Sequence, residues 1–169
     1  RYDNKKYIDG RELLVNTEIS DHRYVSRSGI VLGIPKNVET EIQVGDEVIV
    51  HHNVFRRWYN QHGIESNSRS HYKEDLYFVK SDQIFLYKRN NKWEAPKGFC
   101  FVKPIKSTDI LNNEKEQPLR GIIKHVDSDL SRLIEKEDLI GFTQNSEYEF
   151  IVDGERMYRV FTHSISIKY

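Results

Sequence analysis

EDLYFVKSDQIFLYK, residues 74–88, comes back as ERMYRVFTHSISIKY at 155–169, and the two segments align without a gap. Glu74, Tyr77, Val79 and Ile84 recur as Glu155, Tyr158, Val160 and Ile165, while Leu76 and Leu86 recur as Met157 and Ile167. Upstream, IQVGDEVIV (42–50) lies over IEKEDLIGF (134–142), GIVLGIP (29–35) over GIIKHVD (121–127), and ELLVNTEI (12–19) over FCFVKPIK (99–106). The order of the blocks is kept, and the offset changes only between blocks, where connections fall. That is the pattern of a duplicated small domain, not of a short-period solenoid. The stretch KRNNKWEAPKG (88–98) is polar, carries Pro96 and Gly98, and reads as the boundary between a first unit, 1–92, and a second, 96–169.

The local patterns are those of strands. ELLVN, GIVLGI, DEVIVHH, LYFVK, QIFLYK, GFCFVK, RGIIKHV, LIGFTQ, YEFIV, MYRVF and ISIKY are short runs rich in β-branched and aromatic residues, separated by polar or Gly/Asn/Asp punctuation. The spacing predicts an all-β sandwich or barrel. SDLSRLIEKED (128–138) is the best helical segment, with Ser128 as a cap, but its counterpart KNVETE is so short that a single turn is expected. VDGE (152–155) reads as a tight hairpin turn. In VGD (44–46), Gly45 supplies a positive φ and Asp46 an acceptor for backbone N–H groups. In the second copy Glu137 stands in the glycine's place, so that turn is of another type or strained. Val48, Val50, Leu76, Phe78 or its neighbours, and Ile84 are the expected core of the first unit, with Ile140, Phe142, Met157 and Ile165 as counterparts.

Twenty-six basic and 26 acidic side chains cancel, so no global field recruits nucleic acid or an anionic membrane surface. No apolar run approaches the roughly 20 residues of a membrane helix. The single cysteine, Cys100, excludes an internal disulfide framework and sits within an apolar strand pattern, where it reads as a small buried hydrophobe. No Gly-rich phosphate loop, HExxH, GxSxG or Cys/His pairing at useful spacing is present, and the reading is of a protein that is not an enzyme and holds no cofactor or metal.

The order of an apolar strand, a polar loop, a Gly-led GxVLxxP strand, a short connection, VGDEVIV and a closing strand pair resembles the GroES-like co-chaperonin family. The tightest match is GIVLGIPKNVETEIQVGDEVIVHH (29–52) followed by EDLYFVKSDQIFLYK, and it covers most of residues 10–89. The second copy departs by placing KED (136–138) where VGD is expected. The connections at 35–41 and 127–133 are too short for the family's bacterial roof hairpin. The resemblance implies two tandem GroES-like β-barrels and a lid protein that assembles as an oligomer and docks a mobile loop on a chaperonin ring. A cytoplasmic location follows from that reading. The alternative is a structural or assembly protein of a viral particle, using the barrels for subunit contacts. The family's barrel also occurs in medium-chain dehydrogenases, but the Rossmann motif such an enzyme needs is absent from the sequence.

Two loops stand where the resemblance places a docking segment. TEISDHRYVSRS (17–28) offers Tyr24 and Val25, and KSTDILNNEKEQPLR (106–120) offers the aliphatic pair Ile110 and Leu111 in a polar setting. SGIVLG (28–33) imitates such a hook but is read as strand. The segment 58–73 is the largest difference between the copies. Within 51–73, Arg56, Arg57, Arg69 and Lys73 oppose only Glu65, and Trp58, Tyr59 and Tyr72 add aromatic surface. Arg56, Arg57 and Trp58 are therefore expected to contact an anionic partner or a neighbouring subunit. His51, His52, His62 and His71 match no standard zinc spacing, and a continuing strand would send His51 and His52 to opposite faces.

Overall fold

The computed structural model describes residues 5–14, 25, 27–107, 116–144 and 146–169. The β-branched and aromatic runs do form strands. β1 (Lys5–Ile8) and β2 (Arg11–Leu14) make a hairpin; β3 (Ser28–Ile30) and β4 (Glu47–Val50) follow. Within the inserted segment β5 (Trp58–Tyr59) pairs with β6 (Glu65–Ser66), and β7 (His71–Lys73) pairs with β8 (Leu76–Tyr77) of the recurring block. β9 (Ile84–Arg89) and β10 (Lys92–Glu94) precede β11 (Phe99–Lys106), β12 (Glu116–Val126) and β13 (Leu139–Phe142). β14 (Glu147–Val152), β15 (Glu155–Phe161) and β16 (Ile165–Lys168) end the chain. The two larger sheets are antiparallel, one ordered β10-β9-β4-β3 and the other β14-β15-β11-β12-β13-β16. The protein is all-β, with single 3-10 turns as its helical content among the described residues, and neither sheet closes on itself in this strand order. No helix among the described residues is long and apolar enough to cross a membrane.

Part of the recurring sequence occupies matching places in the two sheets, whereas Leu76–Tyr77 lies in a separate hairpin and its aligned counterpart Met157–Tyr158 lies inside the six-stranded sheet. β4 lies between β3 and β9, and β13 lies between β12 and β16. Gly29 faces Val48 and Ile30 faces Glu47; Gly121 faces Ile140 and Ile122 faces Leu139. These are the pairs that the sequence alignment superposes. The match continues through an irregularity. Both ladders are continuous up to Ile49↔Leu86 and Gly141↔Ile167, and both then shift register, at Val50↔Ile84 and Phe142↔Ile165. A 3-10 turn precedes each closing strand, at Ser81–Gln83 and Thr162–Ser164.

The VGD turn and its counterpart are one construction built from different residues. Gly45 N–H donates to the Val31 carbonyl at 2.8 Å, and Glu137 N–H donates to Ile123 at 2.9 Å. The Gln43 and Glu135 N–H groups donate to the Asp46 and Asp138 carboxylates at 2.8 and 2.7 Å. Gly45 has φ 95° and Glu137 has φ 74°. Glu137 thus adopts the glycine's conformation at a strain cost of about 1–2 kcal/mol, with a 2.9 Å ion pair to Lys124 as partial offset. Each aspartate also holds a cation from the closing strand region. Arg89 grips Asp46 with two nitrogens, at 3.2 and 2.7 Å, and Lys168 reaches Asp138 at 2.5 Å. The Arg89 guanidinium and the Lys168 ammonium hold these two carboxyls below their ordinary range.

The core has three layers because two strands are buried on both faces. Val48 and Val50 of β4 pack with Ile42, Val54 and Tyr87, while Ile49 points the other way. Cys100 and Val102 of β11 pack with Ile123, Ile134, Ile140, Phe142 and Val160, while Phe101 points the other way. Ile49 and Phe101 meet in a middle layer with Phe85, Leu86, Ala95, Phe150, Val152 and Met157. Phe150 stands edge-on to both Phe85 and Phe101, at centroid distances of 5.2 and 5.4 Å, the arrangement that aromatic quadrupoles favour. The two sheets therefore share a layer. At the position of Ile49 the second sheet has Gly141, where a Cβ would come within 2.8 Å of Ile167. That face of β13 is closed by the chain's last strand instead.

Several expectations are corrected. Phe78 is 70% exposed while its neighbours Tyr77 and Val79 pack half-buried on the core, and Leu76, Ile84 and Ile165 are only half-buried, because β9 buries Phe85, Leu86 and Tyr87 instead. The boundary 88–98 contains strand β10, paired to β9 across Asn90-Asn91, both at positive φ. Asn tolerates that region, so the pair makes a hairpin turn. Ser128 does not cap the turn at Leu130–Arg132; the Asp127 carboxylate accepts the Leu130 N–H at 2.8 Å and the Gly98 N–H at 2.7 Å. β2 pairs with β1, whereas β11, which the alignment sets over it, pairs with β12 and β15. The rest of that first block, residues 15–19, lies outside the described residues.

Two outcomes follow. Phe150→Ala should destabilise the protein by about 3–5 kcal/mol, and calorimetry should show both sheets melting in one transition at a lower temperature, because each sheet contributes to that layer. The second concerns acid. Folded-state carboxyl values below the unfolded value of about 3.9 mean that the stability from Asp46 and Asp138 is present above that pH and lost as pH falls through the folded values. The melting temperature should drop below about pH 4, and Asp46→Asn should lower it at neutral pH while flattening the acid limb.

Candidate functional site

The richest polar constellation lies at the seam between the two sheets. β4 ends at Val50, and the chain turns at once into the 3-10 turn His52–Val54, which the His51 ring begins by accepting the Asn53 N–H. The His51 and His52 rings stack at 4.2 Å instead of pointing apart, because the strand does not continue. Both pack against Tyr148 of β14, and His51 also meets Phe85 edge-on. The Tyr148 hydroxyl and His52 Nδ1 share a short hydrogen bond. The Arg27 guanidinium lies over the same Tyr148 ring, its Cζ 5.8 Å from the centroid.

One guanidinium is buried at this seam and a second is half-buried. Arg27 is 7% exposed, and burial lowers its proton affinity. Arg159 lies between the Phe99 and Phe85 rings, 3.6 and 4.3 Å from their centroids, and donates to the Asp82 carbonyl at 2.9 Å. Burial pushes its pKa down to about 10. Neither makes an ion pair among the described residues. Glu149, the acid nearest Arg27 in effect, is held by Arg156 at 3.0 Å.

Beside Arg27 a cavity of about 310 Å³ opens between the edges of the two sheets. Val25, Arg27, Ser28 and Ile49 form one wall, and the consecutive stretch 149–154 forms the other. β3 and β14 are both edge strands, so this slot lies between two rows of backbone groups that the ladders leave open.

The residues singled out from the sequence fall in different places. Val25 is buried and lines the cavity. Tyr24, Ile110 and Leu111 lie outside the described residues. Arg56 and Arg57 are half-buried, with Arg57 paired to Glu65 at 2.5 Å across β5–β6, and Trp58 is exposed. None of these three joins the seam cluster in the contacts described. Arg27, His51, Tyr148 and Arg159 were not legible as a site. Their assembly depends on the pairing of β14 with β15 and on the packing of one sheet on the other, which no local motif signals. Among the described residues, no three His, Cys, Asp or Glu side chains converge as a metal-binding group.

An exposed apolar row marks the first sheet. Ile30, Leu32 and Val44 are 58%, 68% and 63% exposed. The sequence positions aligned with these are Ile122, Lys124 and Lys136, with Lys124 in its ion pair to Glu137. No protein-family model, curated protein or solved structure matches the chain.

Cys100 has no place in a reactive site. It is fully buried, and burial pushes its thiol up to about 12. In the native protein a thiol reagent such as iodoacetamide should leave it unmodified at pH 8. Stoichiometric labelling should appear only in denaturant, as mass spectrometry would register.

Proposed function

We propose that the chain is a tandem of two GroES-like modules, 1–92 and 96–169, that acts without catalysis by assembling into an oligomer and capping a chaperonin ring. The observation that carries the tandem part is the shared pairing register of β3-β4-β9 and β12-β13-β16, including its shift at the same step. Two unrelated sheets have no reason to break register at the same aligned residue. The family resemblance of residues 29–52 and 74–88 carries the co-chaperonin part. Assembly fits the free edges of β3, β10, β14 and β16 among the described residues, since open edges are covered in stable proteins.

Docking on the ring is assigned to Ile110 and Leu111, the adjacent aliphatic pair in the polar segment 107–119. Burying each side chain contributes about 1.5–3 kcal/mol, less the cost of ordering the segment. One such contact is weak, and several in a ring act together. A second reading, a structural subunit of a viral particle, draws on the row Ile30, Leu32 and Val44, a contact surface that needs no chaperonin.

The test is a pull-down with a chaperonin in the presence of nucleotide. Ile110→Ser combined with Leu111→Ser should abolish capture while the sedimentation profile and melting temperature stay unchanged. Undiminished capture would reject this pair as the hook. Absence of capture by the unaltered protein, with oligomers lost in Leu32→Glu, would favour the structural subunit.

A further inference from the structure

We propose that the cavity between β3 and β14 is a binding site for a carboxylate carried on an apolar stem, with Arg27 as its counter-charge. A guanidinium taken out of water without a partner is a costly arrangement. Arg27 is nine-tenths buried, and among the described residues it makes no ion pair and its Nη1 has no hydrogen-bond partner. The Tyr148 ring beside it is neutral, and its hydroxyl is already shared with His52. The acids on the opposite wall are committed elsewhere, Glu149 to Arg156 and Asp153 to the Trp93 indole N–H at 2.9 Å. The position therefore has a buried positive charge, an adjoining cavity, and no anion paired to it among the described residues.

The walls select the class of anion. Val25, Ile49, Phe150 and Val152 supply apolar surface, and Ser28 adds a hydroxyl. The volume stands at the small end of ligand sites, which run from about 300 to 1,000 Å³. The carboxylates of Glu149 and Asp153 stand across the cavity and disfavour a dianion such as phosphate. A monoanion of modest size, with its charge at the Arg27 wall and its stem on the aliphatic side chains, satisfies all of these features. The same group could come from a free organic acid or from an acidic side chain on an extended peptide laid along the open edge of β14.

The experiment titrates the isotope-labelled full chain with phenylacetate and, separately, with the blocked tripeptide acetyl-Val-Asp-Val-amide, reading amide shifts along 149–154. Each probe is compared with its uncharged amide analogue. At least one acid should bind with a Kd at or below about 10 mM, and its amide analogue should bind about tenfold more weakly or less. Arg27→Met should erase that preference while melting no lower than the unaltered protein, since it removes a buried unpaired charge. Binding of the free acid alone assigns a small-molecule site; binding of the tripeptide alone assigns a peptide groove. If neither acid shifts those amides, or acid and amide bind alike, the proposal falls. It falls equally if Arg27→Met lowers the melting temperature and Arg27→Lys restores stability without any charge preference, for Arg27 would then be a structural residue.

Discussion

The contact on which the rest of the molecule depends is the edge-on stacking of Phe150 against Phe85 on one side and Phe101 on the other. Each sheet is too small to bury a wide core alone, and each has strands with apolar side chains on both faces. Two outer layers, one per sheet, take half of those side chains. The other half would face water if the sheets did not meet. The aromatic middle layer removes that surface and fixes the sheets against each other. It also brings the edge of β3 beside the edge of β14, creating the seam where Arg27, His51, His52, Tyr148 and Arg159 gather.

The internal repeat was the most legible feature, and its reach has physical limits. Alignment placed Gly29 over Gly121 and Val48 over Ile140, and the ladders put each pair in the same register. Neighbouring strands joined by a turn impose local constraints, which sequence preserves. What the two copies do on their outer faces is a matter of long-range packing. Ile49 reads like any strand isoleucine, yet it supports the shared layer, whereas Gly141 in the same place admits Ile167. Alternation alone suggested one buried face for β4, and the structure buries both.

The candidate site shows the same division more sharply. His51 and His52 were visible, but their geometry rested on where β4 stops. One residue of extra strand would have separated the rings that in fact stack. Arg27 carried no sequence signal at all, because an arginine in a polar stretch is an ordinary surface residue until tertiary structure buries it. Asp127, read only as the end of a strand block, holds both the turn at Leu130 and the start of the second sheet at Gly98.

β11 has a further consequence. It is hydrogen-bonded on both sides, to β12 and β15, and covered on both faces, by Ile123 and Val160 on one and Phe150 on the other. No local fluctuation can expose its backbone without dismantling a sheet and a core together. Its amides at Cys100 to Val102 would accordingly exchange with solvent deuterium only through complete unfolding. The opposite regime holds for the β7–β8 hairpin, whose Tyr72 and Phe78 rings lean on each other in water. Along the chain, the doubly covered β11 and the two-stranded β7–β8 pair thus stand on either side of β9 and β10.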